Sequence, residues 1–168
     1  NARFVSGNAT DYDYIAQVKQ TANGQFPFAT VLSCLDSRIP PEIVFDRGIG
    51  DLFVARVAGN FTNYDILGSF EFASKLAGSK LIVVMGHTEC GAVIGACDAS
   101  QIGLLSTTLA SINPAVAAVE GHNPRNSTNS GFVQAVSEMH VHLTMKTLRD
   151  RSVVLRQMIE SGEIMLVG

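Results

Sequence analysis

The sequence predicts a single α/β domain with a mainly parallel central β-sheet flanked by helices. Short apolar runs, each about as long as one strand, alternate with segments of helical periodicity. These runs are almost continuous in apolar residues, which is typical of strands buried on both faces of a parallel sheet. A chain of 168 residues fits one domain, and a hydrophobic content of 46% supplies a core and argues against disorder.

The predicted strands are β-branched or apolar runs bounded by turn-forming and polar residues. The first, Phe28 to Cys34, lies between Pro27 and Asp36, and the third is followed directly by His87. Glycines precede and follow the second. The strands are residues 28–34, 51–57, 80–86 and, at the end of the chain, 164–167.

The segments between and after the strands carry apolar residues at three- and four-residue steps, which indicates amphipathic helices. Ile66 to Leu76 ends before Gly78, and the Ser, Thr and Asn residues at 127–130 can cap a long helix that runs to Thr147. The other predicted helices are a segment from Cys90-Gly91 toward Cys97, Gln101 to Glu120 apart from Pro114, and Ser152 to Ser161.

The charge balance and the hydropathy argue against two classes of partner. Lys and Arg number 12 against 15 Asp and Glu, a formal net charge of −3, so charge gives no argument for binding nucleic acid or a membrane surface. No apolar run approaches the roughly 20 residues of a membrane-spanning helix. The chain begins at Asn1 without a basic and apolar leader segment, and we expect a cytoplasmic location.

The cysteines point to a metal site. Cys34, Cys90 and Cys97 are too few for a disulfide scaffold. Cys34 ends the first predicted strand and His87 and Cys90 follow the third, and the carboxyl ends of neighbouring parallel strands line one crevice. Two sulfurs and one histidine nitrogen suit tetrahedral Zn²⁺, and three protein ligands leave the fourth position open, as in catalytic zinc sites. Cys97 lies on an apolar helix and is assigned no role.

Asp36 and Arg38 lie within a few residues of the first predicted ligand and are close enough to form a bidentate pair. Paired with Arg38, Asp36 would accept a proton or a hydrogen bond from zinc-bound water. Released from Arg38, it could become a fourth zinc ligand and close the site. Two thiolates should make the metal less acidic than three histidines would, which predicts a more alkaline pH optimum than a three-histidine site would have.

Three motifs occur in the order C-x-D-x-R, G-D-L-F-V-x-R-x-A-G-N and G-H-x-x-C-G. They occupy residues 34–38, 50–60 and 86–91. With them, the sequence resembles a β-class carbonic anhydrase. The resemblance covers most of the chain, from Asn1-Ala2-Arg3-Phe4 to the final residues 162–168. Several motifs matching in order are far more specific than any one of them.

The resemblance implies a zinc enzyme that interconverts CO2 and bicarbonate. Cys34, His87 and Cys90 correspond to the zinc ligands of the family, and Asp36 and Arg38 to its catalytic dyad. The implied reaction is CO2 + H2O ⇌ HCO3⁻ + H⁺, by attack of zinc-bound hydroxide.

The resemblance also implies a substrate pocket at the interface of a homodimer, or of a larger assembly of dimers. Backbone amides near Gly59 and Gly91 would receive substrate oxygens. The aromatic residues Phe61, Tyr64 and Phe72 would line an apolar CO2 pocket, some of them donated by the second copy.

The chain departs from the family pattern in three places. Arg47 stands after Phe45-Asp46, where many members carry a glutamine, so a hydrogen bond to the substrate is expected to differ. The chain is expected to begin within or after the N-terminal helical arm of the family. It is also expected to end before the last strand is complete.

Other interpretations of the same residues stay open. The fold could serve a hydrolase of a CO2-like molecule such as carbon disulfide, or a non-catalytic zinc or thiol switch protein. The zinc could be structural, with Asp36 as a fourth ligand. Arg56 is expected to touch the site or the dimer. His140 and His142 are two residues apart on a predicted helix, so they should point to different faces and not bind one metal together.

Overall fold

A four-stranded parallel sheet forms the centre of the computed structural model, which describes residue 6 and residues 12–168. The strands are β1 (Ala29–Ser33), β2 (Leu52–Arg56), β3 (Leu81–Met85) and β4 (Met165–Val167). Their order across the sheet is β2-β1-β3-β4, and every neighbouring pair is parallel. Ala29 lies opposite Leu52 on one side and Leu81 on the other. The predicted fold class and strands are confirmed.

The strands differ in burial according to their place in the sheet. All five residues of the central strand β1 are buried. The edge strand β2 is only half-buried, although its sequence is as apolar, and its last residue, Arg56, is exposed. The apolar sequences of β1, β2 and β3 predicted burial on both faces for all three strands. In a single chain, only β1 is buried along its whole length.

Helices connect the strands and cover the sheet. They are α1 (Tyr14–Gln20), α2 (Pro41–Val44), α3 (Tyr64–Glu71), α4 (Gly91–Cys97), α5 (Leu105–Ala110), α6 (Asn113–Ala118), α7 (Ser130–Arg151) and α8 (Val153–Glu160). A π-helical turn, Phe72–Leu76, continues α3. Among the described residues, no helix combines the length and the hydropathy that crossing a membrane requires. The family's N-terminal arm and the resemblance of residues 1–4 fall outside the described part of the chain.

Side-chain caps define where the helices begin. The Asn129 side chain accepts a hydrogen bond from the Phe132 amide at 3.1 Å, so Asn129 caps α7 within the predicted segment 127–130. In the same way Asn63 caps α3, which therefore begins two residues before the predicted start at Ile66. The long helix α7 continues past the predicted end at Thr147 to Arg151.

The predicted helix from Gln101 to Glu120 is wrong as a single element. The structure has two short helices here, α5 and α6, and residues 101–104 precede both. Gly103 has a φ of +45°, which a helix does not accommodate. Ile112, between the two helices, is fully buried, and Pro114 lies in the first turn of α6, where its missing N–H costs no hydrogen bond.

Two apolar clusters form the core, and one of them supports the predicted metal ligands. That cluster joins Cys34 and Cys90 to buried side chains of α4, α6 and α7, with Ile112 and Phe132 fully buried at 0% exposure. The second packs β1 and β3 against α3, α7 and α8. The two cysteines are therefore held by close-packed apolar neighbours, which limits how far their sulfurs can move.

Candidate metal centre

The structure brings the three predicted ligands together at the carboxyl end of the sheet. Cys34 follows β1 directly, His87 lies two residues after β3, and Cys90 precedes the first residue of α4. Their ligand atoms all lie within 4.8 Å of one another, and the two sulfurs are 3.8 Å apart. Among the described residues, these three form the group able to hold a metal ion.

The ring of His87 has the tautomer that a metal ligand needs. Its Nδ1 lies 2.8 Å from the backbone oxygen of Thr88. A carbonyl oxygen only accepts, so Nδ1 carries the proton and Nε2 has a free lone pair. Nε2 is buried and has no hydrogen-bond partner in the structure. A buried nitrogen without a partner is unfavourable, and a metal ion beside it would supply the partner, so this ring fits a metal ion.

The two close, buried sulfurs compete for ionisation, which shifts their pKa values in opposite directions. Cys34 and Cys90 are 4% and 1% exposed. Their mutual hydrogen bond lowers the pKa of Cys34, and together with burial it raises the pKa of Cys90. A divalent cation removes this competition, because both thiols can then be held as thiolates. Two thiolates and a neutral imidazole are a donor set that zinc prefers.

Asp36 and Arg38 form the predicted bidentate pair. Asp36 Oδ1 accepts hydrogen bonds from the Arg38 backbone N–H and from Nε, both at 2.9 Å, and Oδ2 accepts from Nη2 at 2.6 Å. These bonds hold the pKa of the Asp36 carboxyl well below its usual range, so the group is an anion. Arg38 Nη2 also donates a hydrogen bond to the backbone oxygen of Glu89 at 3.1 Å. Glu89 precedes the predicted ligand Cys90 in the chain. The structure shows this paired arrangement rather than Asp36 among the metal ligands.

Arg56 connects the edge strand β2 to the ligand loop. Its Nε donates to the backbone oxygen of Cys34 at 2.9 Å, and its Nη2 donates to the backbone oxygen of Asp36. One guanidinium therefore holds the loop on both sides of Leu35. Arg56 was expected at the site or at the dimer, and the structure places it at the site.

Gly59 lies directly against the first ligand. Its backbone N–H donates to Cys34 Sγ at 3.4 Å. Its φ is +80°, and a Cβ at this position would come within 2.7 Å of Ile112 Cδ1. Both the backbone conformation and the space require glycine here. Gly91 is different, since a Cβ there would meet nothing within 4 Å.

His140 on α7 is a residue that the sequence did not connect with the site. Its Nε2 lies 2.6 Å from the backbone oxygen of Gly59, and the side chain is 3% exposed. The available signal was a histidine on the apolar face of a long helix, which more often indicates core packing than function. Cys97 is buried as expected, and burial raises the pKa of its thiol.

The aromatic residues expected in the substrate pocket lie near the surface of a single chain. Tyr64 is 83% exposed, and Phe72 is 49% exposed with its ring edge against Phe53. Phe61 lines a cavity of about 340 Å³ beside His140. Arg47, which replaces the usual glutamine, stacks its guanidinium over the Phe28 ring at 5.1 Å.

Comparison with known proteins agrees with this geometry. A family model for carbonic anhydrase matches residues 29–168. Carbonic anhydrase 2 of Mycobacterium tuberculosis is 36% identical over 177 residues, covering 100% of this chain and 81% of the relative. A carbonic anhydrase of Mycolicibacterium smegmatis is 34% identical over 174 residues, covering 100% of this chain and 82% of that protein.

Solved structures show the same fold. One of two tetrameric β-carbonic anhydrases from Sordaria macrospora superposes with a TM-score of 0.76 at 24% identity, covering 98% of this chain and 88% of its own. A β-carbonic anhydrase from Aspergillus fumigatus gives a TM-score of 0.73 at 26% identity, with coverages of 98% and 83%. The chain therefore belongs to the β-class carbonic anhydrases, a family of lyases that hydrate CO2.

Proposed function

We propose that this chain interconverts CO2 and bicarbonate at a zinc ion held by Cys34, His87 and Cys90. The observation that carries the proposal is the unpartnered, buried His87 Nε2 beside two sulfurs, with all ligand atoms within 4.8 Å. When bound, zinc supplies the Lewis acidity that makes water a nucleophile near neutral pH. With Cys34, His87 and Cys90 as its protein ligands, the ion would stay accessible to that water.

Asp36 acts beside the metal as the acceptor that orients the attacking water. Because its carboxylate stays ionised, it can accept a hydrogen bond at one of its oxygens. Its lowered pKa makes it a weak acceptor for the proton itself, so its role is to orient the water. Arg38 keeps the carboxylate in one orientation through two side-chain bonds. The bond from Arg38 to the Glu89 backbone ties this pair to the loop that carries Cys90.

Substrate binding on this proposal depends on backbone amides and on a second copy of the chain. Backbone amides near Gly91 receive substrate oxygens, whereas the Gly59 N–H, which was also expected to receive them, donates to Cys34 Sγ. Phe61, Tyr64 and Phe72 line the apolar pocket for CO2. A homodimer is supported by the exposure of Tyr64 and Phe72 in one chain and by the half-buried edge strand β2. The tetrameric relative from Sordaria macrospora is a further argument for self-association.

The test is stopped-flow CO2 hydration by zinc-loaded protein from about pH 6.5 to about pH 9, with chelator-treated protein as the control. We expect zinc-dependent turnover that rises with pH. A shallow rise would favour a site that stays open throughout this range, and a steep rise would favour Asp36 closing it at lower pH. Bound zinc without CO2 turnover at any pH would overturn the proposal and favour another substrate, such as carbon disulfide, or a non-catalytic zinc protein.

A further inference from the structure

Gly59 forms two hydrogen bonds with distant side chains, one through its N–H and one through its carbonyl oxygen. Its N–H donates to Cys34 Sγ at 3.4 Å, and its carbonyl oxygen lies 2.6 Å from His140 Nε2. The carbonyl can only accept, so the His140 ring carries its proton on Nε2. Burial lowers the pKa of His140, which favours the neutral ring, and the Gly59 oxygen selects the tautomer. A continuous path therefore runs from α7 through one glycine to a metal ligand.

The turn that contains Gly59 needs support from outside itself. Gly59 has a φ of +80° and Asn60 a φ of +41°, two consecutive residues in the left-handed region. Within the turn, the Asn60 N–H donates to the Val57 oxygen at 3.0 Å. Glycine has the largest backbone freedom of any residue, so its two peptide planes can rotate unless other groups hold them. The bond from His140 holds the plane that includes the Gly59 oxygen.

We propose that His140 is a positioning residue of the metal centre, which acts through Gly59 to keep the Gly59 N–H directed at the Cys34 sulfur. An N–H bond to a thiolate withdraws electron density and fixes the direction of the sulfur lone pairs. His140 touches neither metal nor substrate. The inference rests on the proposed function, since it concerns how the ligand set of that zinc is oriented.

Two variants of similar volume separate the hydrogen bond from simple packing. His140→Gln keeps an N–H donor at the end of an unbranched side chain, and His140→Met removes it. Changes to groups that orient metal ligands typically cost about 10-fold to 100-fold in metal affinity. We expect His140→Met to raise the zinc dissociation constant by about 10-fold, measured by competition with a chelator, and His140→Gln to restore most of the affinity.

The absorption spectrum of the cobalt-substituted protein separates the two explanations, because a loss of packing alone would not shift a charge-transfer band. In the Co²⁺-loaded protein, a Cys34 sulfur that has lost its hydrogen bond is more electron-rich. The sulfur-to-cobalt charge-transfer band of His140→Met should therefore lie at lower energy than that of the wild type. In His140→Gln the band should return to the wild-type energy. Leu148→Ala, fully buried on the same helix, is the matched control for lost stability. It should lower Tm without moving the band or the zinc affinity.

The outcomes distinguish this inference from the proposed function. If the wild-type protein shows no charge-transfer band and binds no zinc, the metal centre itself is wrong. If the wild type binds zinc and hydrates CO2 while His140→Met has the same affinity and the same band, only the positioning role is overturned. If Leu148→Ala moves the band as much as His140→Met does, the effect belongs to packing and the inference also fails.

Discussion

Two histidines near the metal centre each bond a backbone carbonyl, but through opposite ring nitrogens. His87 uses Nδ1 on Thr88, the next residue in the chain, and its buried Nε2 is left without a partner. His140 uses Nε2 on Gly59, 81 residues away. Either ring nitrogen of a neutral histidine can bind a metal, so the position of the nitrogen left over separates the two roles. His87 shares a group of ligand atoms within 4.8 Å with both sulfurs, and His140 does not belong to that group.

The largest effect should come from removing the ligand histidine. His87→Ala takes away the nitrogen donor and leaves two thiolates, so zinc affinity should fall by more than the roughly 100-fold upper range for supporting residues, and turnover should be lost with it. Zinc content after dialysis against a chelator, together with stopped-flow CO2 hydration, measures both effects. Stoichiometric zinc in this variant would contradict the assignment of His87 as a ligand.

Asp36→Asn should separate metal binding from turnover. The amide removes the anion that accepts the hydrogen bond, while all three ligands remain, so zinc content should be unchanged. Loss of the group that orients the attacking water should cost about 10²-fold in rate, and we expect kcat to fall by about that factor. Metal analysis and stopped-flow kinetics on one preparation test this. Turnover near the wild-type rate would remove Asp36 from the mechanism.

Gly59 bonds both His140 and Cys34, and its surroundings leave no space for a side chain. Gly59→Ala places a Cβ within 2.7 Å of Ile112 at a φ of +80°. We expect a loss of about 2–6 kcal/mol in the free energy of unfolding, since overpacking and left-handed strain each cost about 1–3 kcal/mol. Denaturant unfolding of the zinc-loaded protein measures it.

Gly91→Ala is the control, because nothing lies within 4 Å of the added Cβ and Gly91 is not among the positive-φ residues. Its free energy of unfolding should stay within about 0.5 kcal/mol of the wild type. Equal losses in the two glycine variants would show that the close approach at Gly59 is not what constrains that position.

The smallest effect concerns pH and the buried ring of His140. Its pKa in the folded protein lies below the ordinary value, so on acidification the unfolded chain binds a proton before the folded one does. Stability should therefore fall as pH drops below the ordinary histidine value, by at most about 1.4 kcal/mol per pH unit for one proton.

His140→Gln cannot titrate, so its unfolding free energy should depend less on pH than that of the wild type between about pH 5 and about pH 7. Lys146, Asp150 and Arg151 line the same cavity and are present in both proteins, so they cancel in the difference. Parallel pH profiles for the two proteins would show that His140 does not titrate differently on folding.

Contacts between residues close in the chain could be predicted from the sequence. His87 and Cys90 lie three residues apart in one turn, and Asp36 and Arg38 lie two apart, so backbone geometry alone limits where these side chains can go. The strands were predicted equally well, because a run of β-branched and apolar residues has few other stable conformations. The long helix α7 followed from its periodicity, and Asn129 within the predicted capping segment begins it.

Contacts between distant segments depended on packing that periodicity does not encode. The break between α5 and α6 follows from burying Ile112 fully in the core, and the apolar periodicity of residues 101–120 continues across it. The half-burial of β2 follows from its place at the edge of the sheet.

By itself, the sequence determined the fold class, the four strands and the residue types of a candidate metal site at the carboxyl end of the sheet. Only the tertiary structure decided which groups hold those ligands. The Cys34 sulfur receives a hydrogen bond from Gly59, Arg56 holds the backbone of its loop, and His140 reaches Gly59 from α7. The physical reason is distance along the chain, since these bonds join residues 22, 25 and 81 positions apart. They form only once β1 and β2 have paired and α7 has packed against the sheet.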